Sequence, residues 1–194
     1  MLYTIFLGAS SDSPSLVLLA SAGRDRLVHI YDTTTTSSSC SSSYDGGYTL
    51  LTTLNQHTSS VTAVRFCSDG QRLITSGGDN MMLIYTIQGP VIKLVKTIYT
   101  PHTTISSLCI DYTTNKFAVT VGQDKRLIIW NILSGKLMRT YKQETSELYK
   151  ADIDPSSMYI CVCTFDKFIR VYDFFSGEEV CSGGGHCELI TSVR

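Results

Sequence analysis

The chain has 194 residues, 43% of them hydrophobic and 17% charged, which is enough apolar material for a core and too little charge for a disordered polymer. Sixteen basic residues stand against seventeen acidic ones, a net charge of -1 without a like-charge block of five or more, so charge argues against nucleic acid and anionic membrane as partners. No apolar run approaches the roughly eighteen residues of a spanning helix.

The first ten residues, "MLYTIFLGAS", are apolar only briefly and lack a basic stretch, so they read as an innermost β-strand rather than a signal peptide. Next comes "LLASAGRDRLVHIYD" (18–32), two strand-like runs around a turn, and then "TTTTSSSCSSS" (33–43). This low-complexity run has nothing to bury and predicts a disordered surface loop, in which regulation by phosphorylation is one reading. From residue 61 the order becomes regular. "VTAVRF" (61–66), "QRLIT" (71–75), "MMLIYTI" (81–87) and "VIKLVKTI" (91–98) are short β-rich runs separated by turn signals such as "SDG" and "GGDN". The same order returns as "ISSLCI", "KFAVTV", "RLIIWNI" and "KLMRTY", and again as "LYKADI", "MYICVC", "FIRVYDF" and "EEVCS". No segment sustains a helical period, so the fold class is all-β.

One frame fits four places, beginning at Gly23, Gly77, Gly122 and Thr164. In each, a turn aspartate (Asp25, Asp79, Asp124, Asp166) precedes an aromatic (Tyr31, Tyr85, Trp130, Tyr172) by six residues. The steps between aspartates are 54, 45 and 42, near the about 40–45 of a four-stranded propeller blade, and the first step carries the Ser/Thr insertion. Approximate repeats therefore run 1–54, 55–99, 100–142 and 143–184, with the start of a next one over 185–194.

Histidines give the aspartates a purpose. His57 and His102 precede Asp79 and Asp124 by 22 residues, and Thr75 and Thr120 precede them by four. This spacing predicts a buried chain in which imidazole bridges carboxylate and hydroxyl, and the hydroxyl reaches the Trp130 indole. Asp25 with Ser21, Asp166, and His186 occupy equivalent places and are assigned to the same structural set. In the fourth copy Glu144 and Val162 replace both polar partners, as expected of groups that bond to each other. Pairs that recur blade by blade are structural rather than catalytic, since catalysis needs one constellation at one pocket. Glu144, Glu147 and Asp152 are the only loose carboxylate cluster, and they read as rim and strand residues rather than the centre of a hydrolase.

Seven cysteines, at 40, 67, 109, 161, 163, 181 and 187, lack a compact framework and suit free thiols in a reducing compartment, with the cytosol as default. Cys161, Cys163, Cys181, His186 and Cys187 do not match zinc-ligand spacing. No metal or cofactor is expected, and "GGGH" (183–186) leads into no helix, so it is a turn rather than a phosphate cradle.

The repeated aspartate, the "SDG" turn and the endings "IYD", "IYT", "IWN" and "VYD" together resemble WD repeats, the β-propeller family, over essentially the whole chain. "HTSSVTAVRF" (57–66), "LYKADIDPSSMYI" (148–160), "YDFFSGEEV" (172–180) and "GHCELITSV" (185–193), with 18–32, are similar to the second propeller of the mitogen-activated-protein-kinase-binding WD-repeat proteins, whose members include a spindle-pole protein linked to microcephaly. That resemblance implies a non-catalytic interaction platform in a cytoplasmic scaffold of the Jun N-terminal kinase cascade, with spindle-pole or centrosome components as further partners. Kinase docking in that family lies largely in a long C-terminal region that these residues do not match. A seven-bladed ring needs about 300 residues, so the chain reads as an incomplete propeller, a fragment of about four blades plus one strand of the next. The residue before each turn aspartate marks the rim of one face: Arg24, Gly78, Gln123 and Phe165. Arg24, Gln123 and Phe165 are the partner-binding candidates, arginine and aromatics being frequent in interface hot spots. Recognition of ubiquitin or histone tails is the alternative, and it would require an acidic or aromatic cage at the central channel.

Overall fold

The computed structural model describes the backbone of residues 2–7 and, in full, residues 17–33, 48–143 and 145–193. The expected Ser/Thr loop, apart from Thr33, and Glu144 lie outside the described residues.

Among the described residues, sixteen strands form four antiparallel sheets, each a four-stranded meander in chain order. The first holds β1 (Leu2–Leu7), β2 (Val17–Ala22), β3 (Val28–Asp32) and β4 (Thr49–Leu54). The second holds β5 (Val61–Phe66), β6 (Arg72–Gly77), β7 (Met81–Gln88) and β8 (Val91–Tyr99). The third holds β9 (Ile105–Ile110), β10 (Phe117–Gly122), β11 (Arg126–Asn131) and β12 (Lys136–Lys142). The fourth holds β13 (Leu148–Ile153), β14 (Tyr159–Thr164), β15 (Phe168–Asp173) and β16 (Glu179–Gly184). The first strands β1, β5, β9 and β13 neighbour one another in that order, so the sheets fan out from a common axis as propeller blades.

The turn aspartates explain why each meander reverses where it does. Asp79 accepts a backbone hydrogen bond from Met81 two residues on, and Asp25 and Asp166 do the same from Leu27 and Phe168. The residue after each aspartate (Arg26, Asn80, Lys125, Lys167) takes a left-handed conformation, φ between 63° and 72°, that closes the turn.

Strand alternation then sorts side chains between neighbouring blades. In the third strand of each blade, positions three and five after the aspartate face the following sheet, and positions four and six face the preceding one. Val28 and Ile30 accordingly pack with Leu83 and Tyr85, Met82 and Ile84 with Ile128 and Trp130, and Leu127 and Ile129 with Tyr172. These three interfaces are the core, and each fully buried aliphatic side chain contributes about 1.5–3 kcal/mol. One position breaks the pattern: where β7 has Leu83 and β11 has Ile128, β15 has Arg170.

On the opposite face a polar seam joins blades two, three and four. Ser68 accepts from the Asn115 amide at 2.8 Å, and buried Asp111 accepts from Thr113, Thr114 and, across the blade boundary, Ser157. Burial works against the Asp111 carboxylate, yet the three hydroxyls hold its pKa below the usual range.

Residues 185–193, expected to begin a further innermost strand, run as irregular chain. Ile190 is buried, but a strand exists only by pairing, and no described segment pairs with this one.

Candidate interaction site

Two arrangements occupy the face that carries the turn aspartates: a set of buried hydrogen bonds, and a cleft. In blade three, His102 Nδ1 lies 2.9 Å from Asp124, its Nε2 lies 2.9 Å from Thr120 Oγ1, and the Trp130 indole donates to the same Thr120 oxygen at 2.8 Å. All donors and acceptors agree if the imidazole is neutral, donating from Nδ1 and accepting at Nε2. Burial pushes the His102 pKa down more strongly than Asp124 pulls it up, which keeps it so.

Blade two repeats the first links, with His57 Nδ1 2.9 Å from Asp79 and Nε2 2.7 Å from Thr75. Its aromatic is Tyr85, whose phenol donates to Gln56 at 3.1 Å and whose pKa burial pushes up to about 12. Burial disfavours the Asp79 carboxylate, but His57 and the Thr58 and Met81 amides outweigh that and hold its pKa low. Space is made by glycine. A Cβ on Gly122 would stand 2.5 Å from the Thr104 carbonyl and 2.7 Å from His102 Nδ1, and one on Gly77 would stand 2.9 Å from His57 Nδ1.

The set stops there. Asp25 is exposed, and its side chain bonds the Leu27 amide of its own turn; the position 22 before it is Tyr3, so no imidazole reaches it. Ser21 is buried in the register position between Tyr3 and His29. His186 is exposed. Asp166 is served differently: Arg170 donates at 2.7 Å, Thr164 bonds the same carboxylate, and the Ser146 hydroxyl accepts from the Asp166 amide. Burial opposes ionisation, but Thr164 and Arg170 hold the Asp166 pKa below its usual value. Thr164 occupies the frame position of Gly77 and Gly122, where a histidine would leave no room. Sequence reasoning missed Thr164, Arg170 and Ser146, because each reads as an ordinary strand or loop residue until the register is known.

The cleft, about 630 Å³, opens where the ends of β5, β9 and β13 meet the rim. It gathers Arg24, Gly78 and Gln123, residues that lie far apart in the chain, with Lys150 and Tyr149. Thr104 fixes Gln123 by a 3.1 Å hydrogen bond. Phe165 stands beside the lining, its ring edge-on to Tyr149 with centroids 5.6 Å apart. Among the described residues, the cleft lining holds the cations Arg24 and Lys150 and the aromatic Tyr149, and neither Glu147 nor Asp152 borders it. Two of the thiols are poor candidates for chemistry, since burial pushes Cys67 up to about 12 and Cys163 to about 11.

Comparison with known proteins agrees with this architecture. The profile described as WD domain, G-beta repeat matches residues 48–86, 92–131 and 135–173. The chain belongs to the WD-repeat family. Its repeats are of a generally non-catalytic, protein-interaction kind, and it is similar to named members. It is 32% identical over 192 residues to WD repeat-containing protein 62 of Sus scrofa, and 35% identical over 193 residues to mitogen-activated protein kinase-binding protein 1 of Homo sapiens. Each alignment covers 95% of this chain but spans only 12% of the relative's length. Cilia- and flagella-associated protein 52 of Homo sapiens is 24% identical over 143 residues, covering 73% of this chain and 22% of that protein.

Proposed function

We propose that this WD-repeat segment is a partner-binding part of a cytoplasmic scaffold in a mitogen-activated protein kinase cascade of the Jun N-terminal kinase type, with spindle-pole components among its partners. The observation that carries the reading is the convergence of Arg24, Gln123 and Lys150, with the Tyr149–Phe165 pair, on one cleft. A guanidinium and aromatic rings around a groove are the anchors that interfaces use most, and Phe165 is 42% exposed beside this one. Similarity to a relative named for kinase binding supports the choice of cascade.

The test is surface plasmon resonance with the immobilised chain and purified kinases of that cascade. Saturable binding, weakened roughly tenfold or more by Arg24→Glu with Phe165→Ala, is expected of a cleft-seated partner. Binding that this double variant leaves unchanged overturns the cleft assignment, and absence of binding by every cascade member overturns the placement of a kinase in this cleft.

A further inference from the structure

The overall charge of -1 hides a strong local asymmetry. Between residues 80 and 143 stand Lys93, Lys96, Lys116, Lys125, Arg126, Lys136, Arg139 and Lys142, against only Asp111 and Asp124. Asp111 is consumed by hydroxyls and Asp124 by His102 and Arg126. The excess gathers on the outermost strands of blades two and three.

These outer strands share a device. Each of the four breaks register by one residue, at Leu51, Val95, Met138 and Val180. Around that bulge the strands read "TLLT" (49–52), "KLVK" (93–96), "KLMR" (136–139) and "EEVC" (178–181). An extra residue in a strand puts positions three apart on the same side. Lys93 thus pairs with Thr86 and Lys96 with Ile84, and Lys136 with Asn131 and Arg139 with Ile129, each pair of cations sharing a face. Between the cations stand Leu94 and Val95, 41% and 59% exposed, and Leu137 and Met138, 44% and 51% exposed. Lys96 donates to the carbonyls of Leu133 and Ser134, which makes the outer edges of blades two and three continuous. Among the described residues Lys93, Lys136 and Lys142 meet no carboxylate. Among the described strands β8 and β12 each end their sheet, so none of them pairs with the far edge of either.

We infer that the outer rim of blades two and three, KLVK and KLMR, is a docking edge for an extended acidic segment of a partner protein. Such a segment adds as a further strand, its backbone pairing with β8, alternate apolar side chains resting on Leu94 and Val95, and carboxylates meeting the cations. Lysines also guard edge strands against aggregation. That need is shared by all four outer strands, yet the first and fourth, exposing Leu50 and Val180 around the same bulge, have Thr49 and Thr52 or Glu178 and Cys181 in place of the cations. Strand pairing selects a polypeptide over a lipid surface, which offers no backbone partner. The aliphatic bulges select it over single-stranded nucleic acid, whose bases stack on aromatic rings.

The experiment uses the whole chain and a fluorescent peptide alternating aspartate and valine, read by anisotropy at low and moderate ionic strength. Saturable binding is expected, weakened roughly tenfold by Lys93→Glu with Lys136→Glu and weakened again by salt. A lysine–valine peptide should bind that reversed variant and not the natural chain. Both lysines are exposed, so an unchanged fluorescence spectrum from the single tryptophan shows that the fold is intact. Equal affinity of natural and reversed chains for the acidic peptide overturns the inference. So does co-sedimentation with phosphatidylserine vesicles, or binding of oligonucleotides, without binding of the peptide. Arg24→Glu, at the cleft, should leave peptide affinity unchanged, which separates this edge from the cleft.

Discussion

Blades three and four solve one problem in two ways. Both must hold a turn aspartate at the mouth of a meander. Blade three places Asp124 against a neutral imidazole and extends the chain inward through Thr120 to Trp130. Blade four instead uses a largely buried guanidinium, so that Arg170 joins Asp166 to Glu179. The exchange involves several positions together: Thr120 becomes Val162, Gly122 becomes Thr164, and Ile128 becomes Arg170. A lone change would fail, because histidine needs the glycine's space and a buried hydroxyl needs the histidine. What the turn requires is a partner for the carboxylate, and the surrounding positions decide which partner fits.

His102→Ala should test the difference most severely. It strips Asp124 and Thr120 of a shared partner inside the core, and about 3 kcal/mol or more of stability should disappear in urea titrations followed by Trp130 emission. Arg170→Ala should cost less than half as much, since Asp166 keeps Thr164 and has access to water. An effect between these two, about 1–3 kcal/mol, is expected of Gly122→Ala, whose new methyl meets a backbone carbonyl that cannot move aside. Thr164→Ala at the matching site should cost about 1 kcal/mol, through lost hydrogen bonds rather than overlap. A larger loss in blade four than in blade three would refute the account of either pair.

The smallest effect is that of pH. The His102 pKa is depressed below its unfolded value of 6.5, so the unfolded chain binds the proton more readily. Its contribution is complete above that value and is lost as pH falls through it toward the depressed one. Asp79, also depressed, loses its contribution only well below, as pH falls from 3.8. Unfolding midpoints measured from pH 8 to 5 should therefore drift downward in the natural chain, and His102→Gln should flatten the drift.

The blade frame was legible because turn aspartate, aromatic and strand runs recur at fixed offsets, and recurrence is visible without coordinates. So was the placement of His57 near Asp79 and His102 near Asp124, through matched spacings of 22 and four. Arg170 was not legible: an arginine within "FIRVYDF" looks like a solvent-facing strand residue, and only the register shows it where Leu83 and Ile128 lie buried. The seam from Ser68 through Asn115 and Asp111 to Ser157 escaped notice because it links turns of different blades by side chains of common type. The basic rim was lost in a charge sum, which adds residues without regard to where the sheets carry them.

The left-handed residue after each turn aspartate has a consequence for engineering. Glycine or asparagine occupies that conformation at least strain, and asparagine does so at position 80. At the other three positions the chain uses Arg26, Lys125 and Lys167. Replacing these by glycine or asparagine should raise the melting temperature while removing a cation from the same corner of three blades. Thermal tolerance and surface charge are therefore coupled through a single torsion angle, and a variant selected for one will drift in the other.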